Sequence, residues 1–153
     1  MTEPMTDRPA PITLPDVTYR GQRQSDGAGG ALISVYDQDG ELVGTVAHRA
    51  KHSPAGMNWG YAGSGAADCA RSLLAHAIGD RHALCPVCQG TDTSGRCESC
   101  EAGLLIAPRI YQRFKFTFVA GWATVFTTTR REILGWLTSE FPDADWPGIQ
   151  AAP

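Results

Sequence analysis

Two short runs rich in β-branched and aromatic residues stand close together near the start of the chain. Leu32, Ile33, Val35 and Tyr36 make up the first, and Leu42, Val43 and Val46 the second. Such runs suit a pleated, half-buried surface and predict strands over 31–36 and 41–47. Between them Asp37-Gln38-Asp39-Gly40 is a turn sequence, with a glycine at the point where a tight reversal needs one. Val17 to Gly21, aromatic at Tyr19, predicts a further strand beside this hairpin, and 22–30 read as a polar, glycine-containing loop. Residues 48–65 have no periodicity, yet Trp59 and Tyr61 need a place to pack, so a structured loop is expected.

The spacing then changes from two to near four. Cys69, Leu73 and Ala77 share one face of a helix over 66–78, with Leu74 and Ile78 alongside. Ser64 is placed to cap its start and Gly79 to end it. Ile110, Tyr111, Phe114, Phe118 and Val119 trace a helical face within 104–121, where Pro108 suits a helix start; the run 114–119 also suits a strand. Trp122 to Thr128 reads as a last strand. Thr129 and Glu132 form a T-x-x-E capping box ahead of a final helix lined by Ile133, Leu134, Trp136 and Leu137 and ended by Phe141-Pro142.

Five cysteines change the picture. Four of them fall within sixteen residues as Cys85-x-x-Cys88 and Cys97-x-x-Cys100, separated by eight residues. Each pair curls around an ion with backbone N–H groups turned toward sulfur, and two pairs supply a thiolate tetrahedron. Gly90 and Gly95 relieve the bends of the intervening loop. A full set of four thiolates leaves no position for water or substrate, so the expected cofactor is one structural Zn²⁺ that performs no hydrolysis. Cys69 lies on the apolar face of the first helix and reads as a buried thiol.

These elements define an α+β class: a small antiparallel sheet packed by two to three helices, with an inserted zinc knuckle or ribbon. The expected organisation is a disordered leader over 1–16, with Pro4, Pro9, Pro11 and Pro15. A single domain over 17–142 follows, carrying the finger at 81–104 as an insertion. An acidic tail over 143–153 packs through Trp146.

The chain of 153 residues is 42% apolar, enough for a core, and its 17 glycines and 10 prolines imply frequent turns. No apolar run reaches the length of a membrane span, and the first fifteen residues lack the apolar centre of a signal peptide. A cytoplasmic protein is the resulting expectation. The net charge of −3 is unevenly spread: residues 81–131 hold seven basic and three acidic side chains, while 132–153 hold four acidic and none basic. Four thiolates with one Zn²⁺ offset about half of that basic excess, so the centre of the chain is less cationic than it first reads.

Gly60-Tyr61-Ala62-Gly63-Ser64-Gly65 runs directly into the first helix. Free N–H groups at a helix start suit an anion, whereas close packing of loop against helix is the structural alternative. Ser53, Trp59, Tyr61, Gly63, Ser64 and Gly65 are the ligand-binding candidates of this region, with His48, Lys51 and His52 nearby. The stretch Ser53-Pro-Ala-Gly-Met-Asn-Trp59-Gly-Tyr61-Ala-Gly-Ser64-Gly-Ala66-Ala67, followed by Leu73-Leu74 and Gly79-Asp80, resembles the signature of a small uncharacterised family of bacteria and their phages. That signature reads S-P-x-G-x-x-W-G-Y-x-G-S-G-P-A. Tyr19-Arg20-Gly21, Phe114, Trp122 and Ile133 also fit the family pattern, which implies a domain over about 17–137 and no assigned activity. Ala66 stands where the family has proline, Cys69 where it has leucine, and the cysteine segment is an insertion.

Four functional readings remain open. The leading one is a small soluble zinc-containing binding protein that engages a host or phage protein through the acidic tail and exposed aromatics such as Trp146, which predicts an exposed apolar patch near Trp122, Trp136 or Trp146. A nucleic-acid accessory role would use Arg96, Arg109, Arg113 and Arg130, assisted by Lys115 and Arg131. Arg130 and Arg131 open the last helix, an unfavourable place for a cation unless something negative meets them. A small anion would sit at Gly60–Gly65. An enzyme would use Ser53 or Ser64 with His52, but neither has the strand-turn-helix context of a nucleophile elbow.

Overall fold

The computed structural model describes residues 12–23, 31–92, 95–143 and 149–151. Expectations that fall on 1–11, on the loop 24–30, on Trp146 and on the rest of 144–148 lie outside the described residues.

The alternating runs form the sheet they predict. Strands β2 (Thr18–Gln22), β3 (Leu32–Tyr36) and β4 (Leu42–Thr45) make an antiparallel meander, and β5 (Val125–Thr129) returns to the free side of β2, giving the order β4-β3-β2-β5. The β3–β4 turn is held by Asp37, whose Oδ1 accepts from the N–H groups of Asp39 and Glu41, each at 2.9 Å. Side chains alternate along β2, β3 and β5. Tyr19, Gly21, Ile33, Val35, Phe126 and Thr128 are buried on one face, while Arg20, Gln22, Leu32, Val125 and Thr127 point away from it and are exposed. This is the pattern of an antiparallel sheet with one packed and one bare face.

Three helices cover the packed face: α1 (Ser64–Ile78), α3 (Pro108–Thr117) and α4 (Arg130–Glu140). A short α2 (Asp80–Ala83) and a 3-10 turn at Val119–Gly121 complete the set. All of α1 from Gly65 to Ile78 is buried except His76, so it runs through the middle of the core and not along its surface. Its cap differs from expectation. Gly63 takes the N-cap position and Ser64 is the first helical residue, so the serine hydroxyl caps nothing. Gly79 ends the helix as expected, at φ 99° with its N–H on Ala75 O. The 104–121 segment is helical but shorter than predicted, because Leu104 and Ile106 are buried in the stem of the cysteine segment. At the start of α4, Thr129 Oγ1 accepts from Glu132 N at 3.1 Å, while the Glu132 carboxylate bonds the Thr128 hydroxyl instead of closing the box.

The ends of the described chain differ from the expected leader and tail. Ile12–Leu14 forms β1 and pairs in parallel with Ile149–Ala151, β6. Pro15 does not prevent this pairing, because it lies just past the strand. Trp136 lines the packed side of the last helix as expected, and both it and Trp122, where the protein-binding reading looks for an exposed apolar patch, pack against the core around Phe114, Phe118, Phe126 and Phe141. Among the described residues no helix is long and apolar enough to cross a membrane.

Candidate metal centre and its polar surround

The segment that leaves α2 comes back to it. Cys85 N donates to Gly103 O at 2.9 Å and Leu105 N to Ala83 O at 2.8 Å, so a short stem closes the excursion. Within it the positive φ angles of Gly90 (76°) and Gly95 (83°) make the predicted bends. Asp92 Oδ2 accepts from Gly95 N and Cys97 N, both at 3.1 Å, and draws the second cysteine pair toward the first.

The four sulfurs of Cys85, Cys88, Cys97 and Cys100 lie within 4.8 Å of one another. Cys85 and Cys97 are separated by 3.9 Å between Sγ atoms, and Cys88 and Cys100 by 3.7 Å. A tetrahedron with metal–sulfur bonds of about 2.3 Å has edges of about 3.8 Å. The spacing therefore fits one tetrahedral ion and is far from disulfide bonding, and all four thiols are free. Backbone N–H groups face this cluster, among them Val87 N toward Cys85 Sγ at 3.4 Å and Gly103 N toward Cys100 Sγ at 3.2 Å. Such donors stabilise thiolate over thiol. Cys85 is fully buried, whereas the other three are partly exposed. The residues supply a complete first coordination sphere and no open position.

A polar cluster adjoins this centre, and the sequence gives little sign of its members. Asp68, fully buried on α1, accepts N–H bonds from His52 at 2.9 Å, Ser53 at 3.0 Å and Lys51 at 3.2 Å, and a fourth bond from His48 Nε2 at 2.8 Å. One carboxylate thus folds the loop 48–53 around itself. Ser72 Oγ accepts from Arg49 N at 2.8 Å. Arg71, also fully buried, sends Nε to Arg49 O (3.2 Å), Nη1 to Glu101 O (3.1 Å) and Nη2 to Ala102 O (2.8 Å). Its guanidinium lies over the Tyr111 ring at 5.3 Å. Tyr111 Oη meets His52 Nε2 at 2.9 Å, Glu101 Oε1 at 3.3 Å and Lys51 Nζ at 3.4 Å, and Lys51 pairs with Glu101.

Burial sets the electrostatics of these groups. It lowers the pKa of His52, with Lys51, Arg71 and Lys115 adding to the effect and Asp68 opposing it. Burial, then Arg71, lowers Lys51, and burial raises the Tyr111 phenol. Burial also pushes the Cys69 thiol well up, so Cys69 is an inert core thiol as expected. The signal that would find the cluster is the spacing of Asp68, Arg71 and Ser72. They stand at i, i+3 and i+4 in the middle of a helix whose other residues from Ala66 to Ala75 are alanine, leucine and cysteine.

The glycine-rich loop is closed by its own side chains. A Cβ at Gly63 would lie 2.4 Å from the Tyr61 ring, and one at Gly65 would lie 2.8 Å from the Tyr61 hydroxyl and 3.2 Å from Asn58 Cβ. Tyr61 thus lies over the start of α1, and Asn58 N bonds Gly65 O at 3.0 Å. Trp59 is fully buried and donates Nε1 to Ala123 O at 2.9 Å, a core position. Ser53 is held by its own N–H, and among the described residues neither Ser53 nor Ser64 bonds a histidine through its hydroxyl. His52 is engaged by Tyr111 instead.

The proposed arginine set divides into a buried member, Arg130, and a pair, Arg109 and Arg113, that share the Phe141 ring. Arg130 is buried, with Nε on Ala77 O at 3.1 Å, Nη2 on His76 O at 3.2 Å and Nη1 on Pro15 O. The negative group that meets it is the carbonyl end of α1, which removes it from any nucleic-acid surface. Arg113 pairs with Glu140 at 3.2 Å, and Arg109 lies over the Phe141 ring at 5.3 Å. Arg96 is exposed on the cysteine loop.

A one-faced antiparallel sheet, its helical cover and a four-thiol cluster define a small α+β domain with a metal-binding insert. Residues 19–89 match a family of unknown function (DUF6166). The match runs from β2 through α1 to the first cysteine pair, just under half of the 153-residue chain, and includes Ser53–Ala67. It does not reach Phe114, Trp122 or Ile133. No curated protein and no solved structure matches the chain.

Proposed function

We propose that this chain is a binding module in which one zinc ion plays a structural role and the bare face of the sheet receives a protein partner. The observation that carries the reading is the apolar content of that face. Leu32 and Val125 both register with Gln22 across the sheet, and Leu42 registers with Tyr36. Leu32 is 55% exposed, Leu42 61% and Val125 41%. No helix among the described residues covers them, and β4 is exposed along its whole length. All three lie on one face, Leu32 and Val125 at its Gln22 end and Leu42 at its Tyr36 end, and large exposed apolar side chains on one face suit an interaction surface. Among the described residues β4 is an edge strand, and its outer side adds backbone donors and acceptors for a partner's strand.

A photoreactive residue at position 42, with a second at position 81 as a control, tests this in the cell of origin. A polypeptide cross-linked from 42 and absent from 81 supports the reading. Cross-linked nucleic acid, or no product from 42, rejects it. Zinc is the ion that an all-thiolate tetrahedron of this spacing favours. Elemental analysis of purified protein is expected to give one zinc per chain, lost in Cys88→Ala; iron in its place would refute the metal assignment.

A further inference from the structure

The loop 48–53 has no helix or strand of its own. Three groups on α1 hold it: the Asp68 carboxylate, the Ser72 hydroxyl and the Arg71 guanidinium. Arg71 divides its donors between this loop and the metal-bearing segment. One N–H reaches Arg49 O, and two reach Glu101 O and Ala102 O, the residues that directly follow Cys100. The side-chain layer repeats the link, because Glu101 meets both Lys51 and Tyr111, and Tyr111 meets His52. A fully buried guanidinium stays buried only while its donors are met. When residues 97–103 loosen, Arg71 loses two of its three carbonyl acceptors at once, and Glu101 leaves Lys51 and Tyr111. The guanidinium must then recover water, which draws it from Arg49 O as well.

We propose that occupancy of the four-cysteine centre is coupled to the conformation of the 48–53 loop, so that the half-exposed side chains of His48, Lys51 and His52 form a metal-responsive surface. The coupling passes through Arg71 and Glu101 and requires no contact between the loop and the ion. It rests on the metal reading of the cysteine cluster. The base of the finger is packed against the domain: Cys85, Leu104 and Ile106 are essentially fully buried.

Amide hydrogen exchange by NMR on the full chain, with stoichiometric Zn²⁺ and after chelation, tests the proposal. Zn²⁺ binding is measured first; absence of 1:1 binding sinks the metal reading itself, an outcome separate from failure of the coupling. With binding established, chelation is expected to speed exchange at Lys51, His52 and Ser53 by about tenfold or more, while amides of β2 and β3 change by less than about twofold. Loop amides that stay protected while Cys85, Val87 and Gly103 exchange freely would overturn it, as would uniform loss of protection across the sheet. Arg71→Lys supplies the second arm, because lysine cannot span both sets of carbonyls. In that variant Zn²⁺ is expected to bind still, with the zinc-dependent change at the loop reduced to below about threefold. A full tenfold response in Arg71→Lys would overturn Arg71 as the route.

Discussion

Arg130, the first residue of α4, donates its Nε to the carbonyl of Ala77, one residue before the end of α1, at 3.1 Å. One side chain therefore joins the start of one helix to the end of another, and its Nη groups reach His76 O and Pro15 O besides. Truncation would leave the carbonyls without a charged donor in a buried site. Arg130→Ala is expected to lower unfolding stability by about 2–4 kcal/mol, measured in urea. Arg109→Ala, by contrast, is expected to change it by less than about 0.5 kcal/mol.

Gly21 faces Phe126 across the β2–β5 pair, and a Cβ at Gly21 would lie 1.9 Å from Phe126 Cε2. The ring cannot retreat, since it stacks on Trp122 at 3.8 Å and meets Trp59 edge-on at 4.9 Å. Gly21→Ala is expected to cost about 1–3 kcal/mol through overpacking. Combining it with Phe126→Leu should recover part of that loss, and a double-mutant cycle with strictly additive terms would contradict the contact.

Asp68→Asn keeps the shape of the loop anchor and removes its charge. An amide presents two N–H donors where the carboxylate meets only donors. Stability should fall by about 2–3 kcal/mol, and thermal unfolding is the direct check.

His76 and His52 give the fold a pH dependence of known sign. Burial first, then the Arg130 cation, hold His76 below the ordinary histidine value, with Asp80 opposing; burial first does the same at His52. The Tyr19 hydroxyl meets His76 Nδ1 at 2.8 Å. With the folded pKa depressed, the unfolded chain takes up protons first as pH falls below about 6.5. The stability these groups contribute is complete above that value and is lost as pH drops toward their folded pKa values. The urea midpoint should therefore be lower at about pH 5.5 than at about pH 7.5, and the difference should shrink in His76→Gln.

The hairpin, the three main helices and the four-cysteine cluster were legible because each rests on local signals. Asp37–Gly40 specifies a turn by itself, and two C-x-x-C pairs specify a coordination sphere by spacing alone. What stayed hidden was long-range. Nothing near Ile12 in the chain announces a partner at Ile149, and nothing near Arg130 announces that α1 ends beside it. Asp68 and Arg71 were hidden for a different reason. Their partners are mostly backbone atoms, N–H groups of 51–53 and carbonyls of 49, 101 and 102, and a backbone atom leaves no mark in a sequence. The tryptophans misled in the opposite direction, because Trp122 and Trp136 are aromatic enough to be either a docking face or a core, and only the helix packing decides.

The cysteine segment is packed at its stem and exposed at its outer bend. Its stem, Ala83–Cys85 with Gly103–Leu105, is bonded to itself, and the adjoining Glu101 and Ala102 carbonyls are bonded to Arg71 of α1, while Thr91, Gly95 and Arg96 are exposed. Variation in length is therefore cheap at one place and forbidden a few residues away. The outer bend between the cysteine pairs is where a longer loop or a grafted peptide can enter without disturbing the domain. A single inserted residue after Cys100 would slide Glu101 and Ala102 off Arg71 and carry the change into the core.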